Sequence, residues 1–504
     1  MRGISGVPRF AVKRFSWAGL VLAVIAVLGL PTAAFAAPIN VSLVGDTVTV
    51  TGDPEANVVH ITDSRTHVFV SDNPDGVTPG PGCEPDPLVA TGVQCEKPAV
   101  GGVAMIVVDL LAGDDILTTT GLGEPLIVSG GDGNDNLEGG AQPDTLNGDI
   151  GDDILDGGGL NDLLVGGDGI DTADYDGIPD RDVSLDMAPN DGAAGENDNV
   201  QTENITTALG NDTLTGDAGP NRLSGDQGND ILIGADGADF LNGGAGIDTV
   251  DYSDAAGPVI VTIGVGANDG EVGENDDVTN TIENVTGGPG NDSITGSSAN
   301  NRLSGGVDPD PTANDGDTGN DTLIGADGDD TLNGFDGADD LSGGGGADTL
   351  NGGLGADVLD GGLGANDRVS YAGRASGVVV NQNHTGGDGQ GGGAEGDDVH
   401  ASVERVTGTA FADILIGGQL APSILSGGGG NDVLNGGNSH NDYVNGGAGN
   451  DRINDNGGRD RVIGSLGRDT FHTSDGAKDV INCGRGVDRS SDRDRIDVRT
   501  ASCE

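Results

Sequence analysis

Between residues 130 and 174 a large apolar side chain returns every nine positions. Leu137, Leu146, Leu155 and Leu164 hold the phase, and Ala173 takes it in the fifth unit. The units read GGDGNDNLE, GGAQPDTLN, GDIGDDILD, GGGLNDLLV and GGDGIDTAD. Repetition this short and this regular belongs to stacked, solenoidal architectures. The Gly-rich half of each unit predicts a turn, because glycine permits positive φ and close backbone approach. The other half predicts a short strand whose apolar residue faces inward. Upstream, residues 37–118 alternate apolar and polar positions (VSLVGDTVTV, VVHITD, HVFVSD, AMIVVDLL), which predicts strands. These strands suit a cap over the first coil, since the ends of solenoids otherwise expose sheet edges.

An aspartate stands two places before each apolar residue: Asp135, Asp144, Asp153, Asp162 and Asp171. The same phase returns in a second series at Asp212, Asp230, Asp239 and Asp248. A third series runs through Asp292, Asp321, Asp330, Asp339, Asp348 and Asp357, with Asp367 after one extra residue. The fourth holds Asp413, Asp432, Asp442, Asp451, Asp460 and Asp469. Asn221 and Asn301 occupy two slots, and the uncharged amide at Asn221 predicts a weaker site. Glycine turns let several carbonyls point at one spot beside a carboxylate. Hard cations such as calcium want such a set of six to eight oxygens.

The unit G-G-x-G-x-D-x-U-x, with U a large apolar residue, resembles the RTX, or haemolysin-type, calcium-binding repeat. The resemblance implies an all-β chain folded as a parallel β-roll (a β-solenoid), with two nonapeptides per coil. Asp135, Asp153 and Asp171 then stack on one edge, and Asp144 and Asp162 on the other. It also implies multiple Ca2+ ions as the cofactor, held at the phase aspartates from Asp135 to Asp460 other than Asp367 and Asp413. The alternative is a disordered Gly/Asp tract, which 96 glycines and 3% aromatic residues favour. The apolar residue at constant phase argues for order once calcium is bound.

A longer repeat overlies the short one. The first three arrays close on Tyr175, Tyr252 and Tyr371, followed by strand-like runs (DVSLDM, VIVTIG, VVVNQN). Acidic loops come next, with Glu196 and Asp198, Glu274 and Asp276, Glu395 and Asp397, and then segments ending NIT, NVT and RVT. Sealing of each apolar column suits the tyrosines better than ligand contact. The acidic loops read equally as extra calcium sites and as solvated loops. The expected organisation is a signal peptide over 1–36, a cap over 37–118 and arrays over 119–175, 207–252, 286–371 and 407–473. Spacers cover 176–206, 253–285 and 372–406, and an Arg-rich cap closes the chain over 474–504.

Net charge changes the picture most. At −61 the chain repels nucleic acid and anionic membranes and attracts cations. A basic start, an apolar stretch from Ala18 to Leu30 and Ala34-Phe35-Ala36 predict a cleaved leader and a secreted, extracellular protein with no membrane span. In that compartment Cys83 with Cys95 and Cys483 with Cys503 suggest two disulfides, although four cysteines allow three connectivities. The arginines from Arg452 to Arg499 suit pairing with Asp460, Asp469 and Asp488 better than an anion-binding face.

Signatures of catalysis are missing. H-E-x-x-H, G-x-S-x-G and the EF-hand loop are absent, and the six histidines are scattered. The sequence therefore points to a non-enzymatic protein that folds on binding calcium, in a structural or surface-associated role. A calcium-stabilised adhesin or ligand-binding module is the first alternative and a polysaccharide-active solenoid the second. A cell-surface or matrix polymer is left open as partner.

Overall fold

The computed structural model describes residues 39–504 apart from 65–66, 73–76, 89–91, 99–102, 176, 178–179, 307–317, 383–385, 394, 420, 438–439, 494–495, 500–502 and 504. The expected signal peptide, 1–36, lies outside the described residues. No helix among the described residues is long and apolar enough to cross a membrane.

The described residues are all-β, with a single helical turn among them at Gln390–Gly393. Its strands are mostly short and pair in parallel with the strand one coil away. In the first array Leu137 pairs with Leu155, and Leu146 with Leu164, a spacing of two nonapeptides. Strands such as Thr213–Thr215 and Ile231–Ile233 carry one fully buried residue between two more exposed ones. The core is thus a single file of aliphatic side chains on each sheet, including Leu137, Leu214, Leu332 and Leu434, all 0% exposed. Each contributes roughly 1.5–3 kcal/mol by burial.

Parallel stacking begins before the first nonapeptide. Thr47–Thr51 pairs with Met105–Asp109, and Val58–Asp63 with Ile116–Thr120, in register with the coils that follow. Antiparallel partners sit outside them, Ile39–Val44 on one sheet and His67–Asp72 on the other. Cys83 and Cys95 are disulfide-bonded between two further antiparallel strands of that edge, and Cys483 bonds Cys503 at the other end.

The spacer segments are built into the stack. Asn199–Gln201 pairs with Leu163–Asp168, and Asn204–Thr207 bridges Thr172–Tyr175 to Arg222–Ser224. At each spacer one sheet stops, a new one starts, and the opposite sheet runs through. The first sheet ends at Asn199–Gln201, while the strand Arg181–Ser184 opens a new sheet that continues to the C-terminal end. Sheets change over again at Asp277–Val278 with Val259–Thr262, and at Asp398–Val399 with Val378–Asn381. Because the changes are staggered, the two faces are never broken at the same coil.

Candidate metal centre

All of the phase aspartates from Asp135 to Asp460 are buried, none more than 3% exposed. Each uses Oδ1 to accept a backbone N–H from the coil before, from the preceding phase residue within an array and from Asp115, Leu126, Arg181, Val259 and Val378 at Asp135, Asp144, Asp212, Asp292 and Asp413. Asp153 accepts from Asp135 at 2.7 Å and Asp171 from Asp153 at 2.8 Å. On the opposite edge Asp162 accepts from Asp144 at 2.7 Å. The two edges hold separate columns, as eighteen-residue stacking requires. A second ladder runs the other way one residue earlier in the turn. Asp152 N–H donates to Asn134 Oδ1 at 3.0 Å, and Asn229 N–H to Asn211 Oδ1 at 2.9 Å. The recurrent Asn-Asp pair therefore clips each turn to its neighbours in both directions.

The second carboxylate oxygen divides the turns into two kinds. Oδ2 of Asp135, Asp153, Asp162, Asp171, Asp230, Asp239, Asp248, Asp330, Asp348, Asp357, Asp432, Asp442, Asp451 and Asp460 is buried without a hydrogen-bond partner. Such atoms are costly to bury, by about 1–3 kcal/mol each and more when ionised. At all but Asp442 and Asp460 a glycine five residues earlier makes their room: a Cβ at Gly130 would overlap Asp135 Oδ2 and stand 2.9 Å from the Gly148 carbonyl oxygen. Gly325 and Gly427 relate in the same way to Asp330 and the Gly343 carbonyl, and to Asp432 and the Gly446 carbonyl. At Asp135, Asp330, Asp432 and Asp451 the space beside the bare carboxylate oxygen is also bounded by a glycine carbonyl from the next coil.

Turns of the other kind satisfy themselves. Asp144 Oδ2 accepts the Gly140 N–H at 2.6 Å, Asp292 Oδ2 the Gly288 N–H at 3.0 Å, and Asp413 Oδ2 the Thr409 N–H at 2.7 Å. Asn221 and Asn301 do so more fully, accepting at Oδ1 from Asp217 and Ser297 N–H and donating through Nδ2 to the Glu203 and Glu283 carbonyls. The amide donor lies where a cation would otherwise meet oxygen. At Asn221, where a weaker site is expected, the amide closes the turn internally.

Burial raises the carboxyl pKa values, with facing carboxylates adding to it. Asp135, Asp153 and Asp171 stand at about 6, Asp432 and Asp442 at about 7, and Asp162 at about 8. The donor set of the first kind of turn, carboxylate and peptide oxygen with no N–H and no cation, fits a hard divalent ion.

The residues that end each column are ones the sequence offered only as members of acidic loops. Asp198, Asp276 and Asp397 accept the N–H of Asp162, Asp239 and Asp357 at Oδ1. Their Oδ2 atoms accept the hydroxyls of Tyr175, Tyr252 and Tyr371 at 3.2, 2.9 and 2.8 Å. The tyrosines seal the columns, as expected, and also donate to a carboxylate there. Asp198, Asp276 and Asp397 are therefore buried caps, not solvated loop residues. On the sheet that runs through, Glu203, Glu283 and Glu404 accept the N–H of Asp171, Asp248 and Asp367. The signal for them was one residue upstream of NIT, NVT and RVT, where glutamate recurs. Asp115, Asp479 and Asp488 extend the columns without the repeat motif.

Four of the arginines do not make the expected pairs. Arg452, Arg459, Arg461 and Arg468 are exposed, next in sequence to aspartates that point inward. Among the described residues no ion pair joins them to Asp460, Asp469 or Asp488.

A family model described as the RTX calcium-binding nonapeptide repeat (4 copies) matches residues 129–164, 202–227, 215–250, 277–310, 315–350, 333–367, 423–441 and 436–471. No curated protein matches the chain.

Proposed function

Since the chain carries RTX calcium-binding nonapeptide repeats, we propose that it is a secreted, non-catalytic protein that folds by taking up calcium between its stacked turns. Its role is structural or surface-associated. The observation that carries this reading is the column of buried carboxylate oxygens with no donor, several of them beside a glycine carbonyl of the next coil. Bound calcium supplies the positive charge those oxygens lack. The turns at Asp153, Asp162, Asp230, Asp330, Asp348, Asp432 and Asp451 are the ones whose oxygens would hold it. Those at Asp144 and Asp292 serve as closed turns.

The chain's own residues do the rest. Glycines keep the space beside each carboxylate open, the backbone N–H ladder fixes Oδ1, and the leucine file holds successive coils in register. Ligands from separate coils converge only after stacking, so binding and folding are one event. Extracellular calcium modules bind at about 10⁻⁴–10⁻³ M. A chain tuned to that range stays unfolded at cytosolic calcium and folds after export.

The test is a calcium titration of the purified chain followed by circular dichroism and calorimetry. The expected result is a cooperative rise in β-structure with uptake of many ions. Asp153→Asn lowers the stoichiometry, whereas Asp144→Asn leaves it unchanged because Gly140 already satisfies that oxygen. A full β spectrum in excess chelator, or uptake no greater than that of an unstructured polyanion of equal charge, would overturn the reading.

A further inference from the structure

One turn departs from the others at the position that must be glycine. Gly427, Gly446 and Gly464 stand five residues before Asp432, Asp451 and Asp469, and a Cβ at any of them would overlap the aspartate's Oδ2. Five residues before Asp460 the chain has Asp455. Its side chain occupies the space that elsewhere is shared by one carboxylate oxygen and a carbonyl.

Asp455 is 0% exposed, and neither of its carboxylate oxygens has a hydrogen-bond partner. Asp460 and Asp479 face it. Asp460 Oδ1 accepts the Asp442 N–H at 2.7 Å and Asp479 Oδ1 accepts the Asp460 N–H at 2.9 Å, which leaves both Oδ2 atoms bare. One oxygen from each of the three carboxylates lies within 4.8 Å of the others. Asp475 adds negative charge from the next turn, although its own oxygens accept the N–H groups of Gly458 and Ala477. Among the described residues none of the three carboxylates has an ion-pair partner. Arg459, Arg461 and Lys478, which adjoin Asp460 and Asp479 in sequence, are exposed, and Arg461 lies over the Tyr443 ring. Three buried carboxylates whose facing oxygens meet neither a donor nor a cation are not stable as a set of anions.

We propose that Asp455, Asp460 and Asp479 form a distinct tricarboxylate site that binds one calcium ion more tightly than the other repeat turns. The argument rests on the reading of those turns given above and adds to it a site of different composition. Affinity of calcium sites rises with the number of charged ligands. The ordinary turns bring fewer carboxylates to the same space, with carbonyls making up the set. Magnesium is disfavoured because it keeps several waters, and this site is closed to solvent.

The experiment is calorimetric titration of the full chain with calcium in the presence of competing chelators, for the parent, Asp455→Gly and Asp455→Asn. Glycine restores what neighbouring turns carry, and asparagine keeps the shape, so both variants should reach the parent's β spectrum in saturating calcium. The parent is expected to show one equivalent bound roughly tenfold more tightly than the rest. Both variants should lack that step and keep the remainder of the isotherm. Retention of the tight step by both variants, or its absence from a parent that takes up calcium at the other turns, would overturn the proposal. A parent that takes up no calcium at all would sink the reading of the repeats as well, so the two failures are distinct.

Discussion

At the scale of the residue, the same carboxylate does different work according to what meets its second oxygen. In Asp153 that oxygen has no donor, in Asp144 it has a peptide N–H, and in Asp276 it has a phenol. The tyrosine answer lends itself to a direct test. Tyr252 is 4% exposed and donates to Asp276 Oδ2 at 2.9 Å. Tyr252→Phe keeps the ring and removes the donor, leaving a buried acceptor unsatisfied at a cost of about 1–3 kcal/mol. Thermal unfolding in calcium should show the midpoint falling while the number of bound ions stays constant. An unchanged midpoint would remove the hydroxyl from the account of the column end. The motif aspartates could be read from the sequence because chemistry and phase coincide there. The place of Asp198, Asp276 and Asp397 at the column ends could not, because their partners are a tyrosine 23, 24 and 26 residues away.

Among the elements, most strands are too short to be stable alone and owe their existence to the coils on either side. Stability in such a stack is close to a sum of nearest-neighbour terms, so damage at one end should remain local. The disulfide between Cys483 and Cys503, twenty residues apart, ties the last strands together. Replacing both cysteines by serine is expected to cost roughly 2–4 kcal/mol. Hydrogen exchange should then report fraying confined to residues near 474–504, with protection of the first array unaltered. Uniform loss of protection along the chain would mean that the solenoid unfolds as one cooperative unit instead. The strand content of the arrays was visible in the nine-residue period. The staggered sheet changes were not, because a spacer that leaves one sheet and enters another has no local signature beyond a broken repeat.

For the molecule as a whole, charge and fold oppose each other unless cations or protons intervene. Net charge is −61, and the phase carboxyls sit above the ordinary value of 3.8, from about 6 at Asp135 to about 8 at Asp162. A folded-state pKa above the unfolded one means that the fold prefers the protonated group. Its contribution is complete below the unfolded pKa and is lost as pH rises through the folded value. The metal-free chain should therefore gain β-structure on acidification from about pH 8 to about pH 4, and lose it on return. Calcium affinity should move the opposite way, weakening as pH falls through about 6, because protons and cation compete for the same oxygens. Circular dichroism in chelator across this range, with calcium titrations at each pH, measures both. Further unfolding of the metal-free chain in acid would contradict the first expectation.

Architecture and chemistry were both written locally in this chain. Nine residues suffice to state a turn, a strand, an inward leucine and an acidic ligand, and their repetition implies the stack. Folding in three dimensions settled which of the aspartates are bare. That depends on the backbone arriving from a neighbouring coil, at distances in sequence that reach 37 and 40 residues where spacers intervene. It also brought Asp455 against Asp460 and Asp479, a meeting that no nine-residue window contains. The period belongs to the chain, whereas the partner of each oxygen belongs to the packing.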